Sequence, residues 1–545
     1  MSQYEKRFWL KSYDKGIPHD IEIPDRPVRD FFKENVGRFP DKPYLIFNEE
    51  SLSYAMVNAL ACRLANGLGS LGVKKGDRIA FLMPNVPQHV IAIQAGYKAG
   101  TVNVGLNTLY TVPELKQQIN DSGATTLIAY TRVAEKAFDL QKDPDCLLKT
   151  VVVVTPRAEA SVEETDSVFD FDTLLGAASA GEPEVEISPG DVAMLQYTGG
   201  TTGVSKACCL TNRNIMTMCR QYGTWIAGAC PPEEIRNLCV IPLFHVYGWN
   251  TNVNLTLFGG GTIILVAKPD PDVILHNINR HEPTIWCTVP RLVNLLINHP
   301  DTPDSKLNKI KGFFCGAAAL PLEEMRRLKA LSGAAVMEGY GSSETTNLIT
   351  MNPVGNIKEG SVGLPLPNTV VKIVDTESGR FEMPVGERGE IVAKGPQIME
   401  EYWNNPGETE LAFTDDGYFY TGDIGCMDEE GFLHVLDRKR DVVIRGGFNV
   451  YPREIDEVVY QLDNIQEACT VGVPHETSGE TVKTYVVLKP ETSLTVYQVR
   501  EHCRRQLAAY KVPEIVEFVD EIPKTGIGKF DRNVLRVEGM FKQEW

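Results

Sequence analysis

Between Tyr197 and Asn214 the chain reads YTGGTTGVSKACCLTNRN, spending the first part of that run almost wholly on Gly, Thr, Ser and one Lys. Gly199, Gly200 and Gly203 permit close backbone approach, and Thr198, Thr201 and Thr202 offer hydroxyl donors. Lys206 adds a long, positively charged arm. Those groups together suit an anionic phosphate. The same residues would also build a plain hairpin turn. Spacing excludes one specific device: a P-loop needs Lys directly after its second Gly and a helix starting there, whereas two residues separate Gly203 from Lys206.

Five other places carry polar residues that the hydrophobic pattern does not require. His245 follows an apolar run in PLFHVYGWN, where a structural role at a strand end is the plain alternative. Cys315-Gly-Ala-Ala-Ala319 is small enough for a planar group to lie against backbone, or simply for a tight strand-to-helix turn. EGYGSSETT (338–346) offers the Tyr340 ring for stacking and the Glu344 carboxylate for a metal. Asp423 in YTGD stands where a carboxylate can accept two ribose hydroxyls, or cap a turn. Lys529 in PKTGIGKFDR sits beyond two glycines, on a loop able to reach elsewhere or to remain a solvated tail.

Positioning these residues falls to alternating helices and strands. Ser53 can cap a helix bearing Leu60, Leu64, Leu68 and Leu71 on one face. Strands are expected at 78–83, 127–130, 150–155, 192–197, 207–210, 262–266 and 284–288. Helices are expected at 86–99, 111–122, 272–281 and 290–298. This is α/β texture with a largely parallel sheet. Residues 156–190 read as a surface excursion without a core pattern. After Gly355, short strands separated by Gly and Pro predict a β-rich subdomain. The charged stretch 437–450 reads as a mobile linker. Beyond it a helix at 453–462, strands at 469–473 and 482–488, a helix at 495–509 and a lysine-bearing loop predict a small α+β domain. The expected division is 1–436 for the large N-terminal domain, 437–440 for a hinge and 441–545 for the C-terminal domain.

At 545 residues the chain exceeds one core. Its formal charge of −18, from 72 acidic and 54 basic residues, argues against nucleic-acid partners and anionic-membrane binding. No apolar stretch is long enough for a signal peptide or a membrane span, so a soluble cytoplasmic protein is expected; peripheral membrane contact is left open. The 12 cysteines contain no C-x-x-C pair and read as reduced packing residues.

YTGGTTGVSK, PLFHVYG, EGYGSSE, YTGD, DRKRDVVIRGGFNVYPREI and PKTGIGK stand in the order that resembles the adenylate-forming superfamily of acyl-CoA synthetases, luciferases and peptide-synthetase adenylation domains. Gly200 with Val-Ser-Lys, the GFNVYP run and CRRQLAAYKVP are most similar to bacterial fatty acyl-CoA ligases. The resemblance covers nearly the whole chain. It implies a two-step, AMP-forming reaction of a carboxylic acid with ATP, Mg²⁺ and coenzyme A, the acid being a medium- or long-chain fatty acid. An aryl-CoA ligase of benzoate type, an acyl-AMP ligase serving a carrier protein and a silent nucleotide-binding regulator are the alternatives. A monomer and a homodimer are both compatible.

The resemblance also implies roles. Lys529, Glu344 and His245 are the catalytic candidates. Thr198, Gly199, Gly200, Thr201, Thr202, Gly203 and Lys206 correspond to the phosphate loop. Gly316, Ala317, Ala318, Glu338, Gly339, Tyr340, Gly341 and Ser343 correspond to the nucleotide site, with Asp423 and Arg438 at the ribose. Glu344 and Thr201 are the metal candidates. Gly447 would face coenzyme A, and Arg440 falls at the hinge, where Lys or Asp is usual. Trp249, Gly341 and Cys315 are assigned to the acyl pocket; a glycine at 341, where acetate-specific relatives carry Trp, leaves room for a larger acid.

Overall fold

The computed structural model describes residues 2–156, 159, 161–198, 205–445, 448–475, 479–525 and 529–541. Two sheets form the body of the molecule. The first has seven strands in the order Val168–Asp170, Thr150–Val154, Thr126–Tyr130, Arg78–Leu82, Val102–Gly105, Val192–Tyr197 and Ala207–Thr211. Every pairing is parallel except the last, in which Val192–Tyr197 and Ala207–Thr211 run antiparallel. The loop of Gly199 to Gly203 therefore joins the two arms of an antiparallel pair. The loop itself lies outside the described residues.

The second sheet has nine strands, with a parallel centre of Ala335–Tyr340, Gly312–Cys315, Ile285–Thr288, Arg236–Cys239, Thr262–Leu265 and Pro43–Phe47. Burial on both faces explains the continuous apolar runs in these strands, as in GFFC and TIIL. Helices pack through stripes set by their spacing. In Tyr54–Ser70 the residues Val57, Ala61, Leu64 and Leu68 are buried, and the Ser53 side chain accepts from the Met56 amide at the N-cap. Pro87–Ala99 ends at Gly100, whose φ of 67° closes the helix in the left-handed region.

A four-stranded antiparallel sheet (Val370–Val374, Gly389–Lys394, Phe419–Met427, Leu433–Arg438) forms the β-rich part. The C-terminal part has its own core, including Val443, Ile455, Val482 and Cys503, around a five-stranded sheet. Among the described residues no helix is long and apolar enough to cross a membrane.

Three expectations need correction. Residues 156–190 are not merely an excursion: Val168–Asp170 forms the edge strand of the first sheet, and Phe171–Ala177 is a helix burying Phe171, Leu174 and Leu175. The strand was too short to show alternation. The described residues of 437–450 make regular contacts where a linker is expected, with Asp437 and Asp441 buried and Val443–Arg445 paired to Phe448–Val450. Lys529 is also followed by a helix, Arg532–Phe541, where only a loop is expected.

Candidate active site

The singled-out residues stand where strands stop. Tyr197, Cys315 and Tyr340 are the last residues of parallel-sheet strands, and each motif continues from that C-terminal end, the usual place for ligands in α/β sheets. These ends open into a cavity of about 1180 Å³ whose other wall comes from the C-terminal part, including Asp441, Arg453 and Lys529.

Its wall includes a carboxylate held from two sides. Asp423 accepts from the Tyr340 hydroxyl at 2.5 Å and pairs with the Arg438 guanidinium at 2.9 Å. Burial raises its pKa above the usual carboxylate range, while Arg438 and the Tyr340 bond oppose that shift. Asp423 and Arg438 face each other because their strands pair in register. Glu344 lies in the same cavity, one carboxylate oxygen accepting from the Tyr402 hydroxyl at 2.9 Å.

Lys529 joins this group from the opposite end of the chain. Its loop is closed by the Thr525 amide, which donates to the Lys529 carbonyl at 2.7 Å, and by Lys524, whose Nζ lies 2.7 Å from Glu467. Three residues on, Arg532 donates to buried Asp456 at 2.9 Å. Burial pushes the Lys529 ammonium down to about 8, and the charge of Arg438 pushes the same way; Asp423 and Glu344 oppose both. His245 lines the cavity, and its Nδ1 accepts from the Tyr247 amide at 3.1 Å, capping a short turn. Burial and then the Lys529 charge push its pKa down to about 3, so the ring is neutral at physiological pH.

The floor for a planar ring is also formed. Gly316 lies under the Tyr247 ring, where an added Cβ would come within 3.3 Å. The Tyr247 hydroxyl lies 2.6 Å from the Phe314 carbonyl and fixes that strand end. Ala317 has a φ of 67°, a left-handed conformation unusual for a residue with a side chain, and Ala318 lines the cavity beside it. Glu338 is buried, accepts from the Leu320 amide at 3.0 Å and is pushed up to about 7 by burial. Gly339 and Ser343 complete this wall.

Some residues sit differently from what the sequence suggests. Lys206 lines the cavity but is paired with Glu408 and lies 5.0 Å above the Tyr402 ring, so holding a phosphate would require it to exchange partners. Thr198 is pinned by its amide, which donates to the Lys206 carbonyl at 2.8 Å. Trp249 is not on the cavity wall. It is fully buried behind it, its Nε1 donating to the Tyr97 hydroxyl at 2.9 Å and its ring near Phe81 and His89. Gly341 does line the cavity, but an added Cβ would stand 2.0 Å from the Asn347 carbonyl oxygen. Backbone proximity, more than acid volume, requires that glycine. Cys315 is buried with its thiol pushed well above the usual range, as befits a packing residue. Gly199, Gly200, Thr201, Thr202, Gly203 and Gly447 lie outside the described residues.

Sequence reasoning missed Tyr402, Glu408, Tyr247 and Arg453. Arg453 joins the two parts, its amide donating to Asp437 at 3.0 Å and its guanidinium to the Val435 carbonyl at 2.8 Å. Tyr247 was within reach, since it stands two residues after His245; the others carry no local signal.

Comparison with known proteins follows the same lines. Residues 32–403 match the AMP-binding enzyme family and residues 454–529 match the AMP-binding enzyme C-terminal domain. A long-chain-fatty-acid–CoA ligase of Bacillus subtilis (strain 168) is 36% identical over 549 residues, covering 97% of this chain and 98% of its own. The crystal structure of ATP-bound MatB from Rhodopseudomonas palustris superposes with a TM-score of 0.84 at 31% identity, over 94% of this chain and 99% of that one. A benzoate CoA ligase from Burkholderia xenovorans LB400 superposes with a TM-score of 0.83 at 25% identity, over 94% and 100%.

Proposed function

Because the chain belongs to the AMP-binding enzyme family and is an AMP-forming acid–thiol ligase, we propose that it activates a medium- or long-chain fatty acid in two steps sharing this one cavity. In the first, a carboxylate oxygen of the acid attacks the α-phosphorus of ATP. A P–O bond forms as the bond to pyrophosphate breaks, leaving an acyl-adenylate. In the second, the sulfur of coenzyme A attacks the acyl carbonyl, the thiol proton leaves and AMP departs.

The observation that carries this reading is the meeting of Lys529 with Asp423, Arg438, Tyr340 and Glu344. Two anions must approach in the first step, and a fixed ammonium offsets their repulsion where water is excluded. Asp423 is the ribose ligand and Arg438 its counter-charge. Tyr340, Glu338, Gly339 and the 316–318 turn hold the adenine, while Thr198, Lys206 and the loop between them take the phosphates. Glu344, with one oxygen held by Tyr402, fits a carboxylate ligand for Mg²⁺, which when bound would neutralise polyphosphate charge. Neutral His245 serves as a cavity wall and hydrogen-bonding group, since an imidazole with a pKa of about 3 is a poor base.

The part from 441 onward pivots about Arg440 between steps, withdrawing Lys529 and bringing Gly447 toward coenzyme A. Arg536 holds Asp441 at 3.0 Å and would carry the last helix with the pivot. The apolar residues Tyr222, Phe314, Leu348, Met351 and Val362 suit an aliphatic chain. The benzoate CoA ligase likeness favours an aryl acid as the second reading. The net charge of −18 argues against a nucleic-acid partner, and peripheral membrane contact stays open. AMP release from a panel of fatty acids of rising length and from benzoate, with and without coenzyme A, tests the proposal. A fatty acid leading with full dependence on coenzyme A is expected. Benzoate leading, or AMP formed without coenzyme A, would refute it.

A further inference from the structure

Lys206 already holds one negative charge where the reading above asks it to hold another. Its ammonium is paired with the Glu408 carboxylate and lies 5.0 Å above the Tyr402 ring. Lys206 and Tyr402 line the cavity, whereas Glu408 is not among the lining residues, so the lysine leans toward a partner outside the cavity wall. Both members of the pair meet solvent, with 26% of the Lys206 side chain and 44% of the Glu408 side chain exposed. An anion entering the cavity can therefore reach the ammonium.

Backbone bonds fix this competitor in place. The Trp403 amide donates to the Ala207 carbonyl at 2.8 Å and the Cys209 amide to the Glu401 carbonyl at 3.1 Å, which laces the segment before Glu408 to the strand that begins after Lys206. The Tyr402 amide donates to Thr409 Oγ1 at 3.0 Å and the Glu408 amide to Asn405 Oδ1 at 3.2 Å, setting Glu408 in the first turn of the helix Pro406–Ala412. With the Lys206 carbonyl also held by the Thr198 amide, the movable part of the lysine is its four-carbon stem. The Tyr402 ring beneath it stabilises the charge on either course. A polyphosphate drawn to the ammonium would bring its own charge toward the Glu408 carboxylate, and the two anions repel.

Resting on the ligase reading above, we infer that Glu408 competes with the outer phosphates for Lys206, giving the lysine up when ATP is loaded and reclaiming it when pyrophosphate leaves. AMP lacks those phosphates and does not contest the pair. Glu408 thus lowers the hold on ATP and pyrophosphate and spares AMP. A carboxylate that only fastened its helix would change stability and leave all three affinities alone. One that acted only through its overall charge would weaken ATP binding whatever residue stood at 206.

The test is isothermal titration of ATP, pyrophosphate and AMP, each with Mg²⁺ and without acid or coenzyme A, onto the whole enzyme. The wild type, Glu408→Gln, Lys206→Met and the double variant are compared. Glu408→Gln should bind ATP and pyrophosphate about threefold tighter or more, with AMP unchanged. On the Lys206→Met background the same substitution should leave all three affinities as they are, which assigns the gain to the pair. No gain for ATP, an equal gain for AMP, or a gain that persists on the Lys206→Met background would each overturn the inference and leave the ligase reading intact. A wild-type enzyme that binds no ATP would sink the ligase reading and the inference with it.

Discussion

Lys529 sits among Arg438, Asp423 and Glu344 with its pKa brought down to about 8, so raising the pH from 7 to 9 removes its charge. At pH 7 the ammonium outnumbers the amine by about ten to one, and at pH 9 the ratio is reversed. The charged fraction thus falls about tenfold, whereas an ordinary lysine near 10.5 would lose only a few per cent. His245, at about 3, does not titrate in this range, and Glu338, at about 7, is half ionised at its start and finishes ionising within it, so the lysine's share of the fall is the part that Lys529→Arg abolishes. Pyrophosphate release at subsaturating ATP should therefore drop about tenfold between pH 7 and 9, with a midpoint near 8. At saturating ATP the phosphates favour the ammonium and the midpoint moves up. The second step, started from supplied acyl-adenylate, should instead quicken over the same range as the attacking thiol ionises. Lys529→Arg carries a charge that does not titrate and should lose the alkaline fall. An undiminished wild-type rate up to pH 10, or the same fall persisting in Lys529→Arg, would refute the reasoning.

Two substitutions probe the rest of the cavity. Tyr340→Phe removes the hydroxyl that holds Asp423 and leaves the 2.9 Å pair with Arg438; the KM for ATP in the adenylation assay should rise about tenfold with thermal stability nearly unchanged. Gly341→Ala drives a Cβ toward the Asn347 carbonyl oxygen at 2.0 Å and the Leu348 Cα at 2.8 Å, both backbone atoms that have little room to yield. It should cost about 1 to 3 kcal/mol in denaturant unfolding and slow short and long acids alike; a loss that grows with chain length would restore the view that this glycine makes room for the acid.

The parts of the site legible in the sequence are those whose chemistry is local. The Gly-Thr run, the strand leading to Tyr197 and the capping of a helix by Ser53 depend on neighbours a few residues away. What escaped depends on distant partners. Glu344 is oriented by Tyr402, 58 residues on, and Lys206 is paired with Glu408, 202 residues on. Trp249 read as a pocket residue because it follows His245 closely, but the turn of the π-helix Trp249–Asn254 carries it behind the wall to Tyr97. The meaning of Gly341 also came out differently, because the constraint on it is the returning backbone of Asn347 and Leu348. The last helix was hidden by the charged residues that begin it, Arg532 and Arg536, which turn inward to Asp456 and Asp441.

The central claim is that Lys529 serves the first step and not the second. Lys529→Ala, assayed for each half-reaction separately, tests it most directly. Acyl-adenylate formation from acid and ATP should fall by about a hundredfold or more, while thioester formation from supplied acyl-adenylate and coenzyme A keeps most of its rate. Equal losses in both halves, or an adenylation rate close to that of the unsubstituted enzyme, would contradict the account.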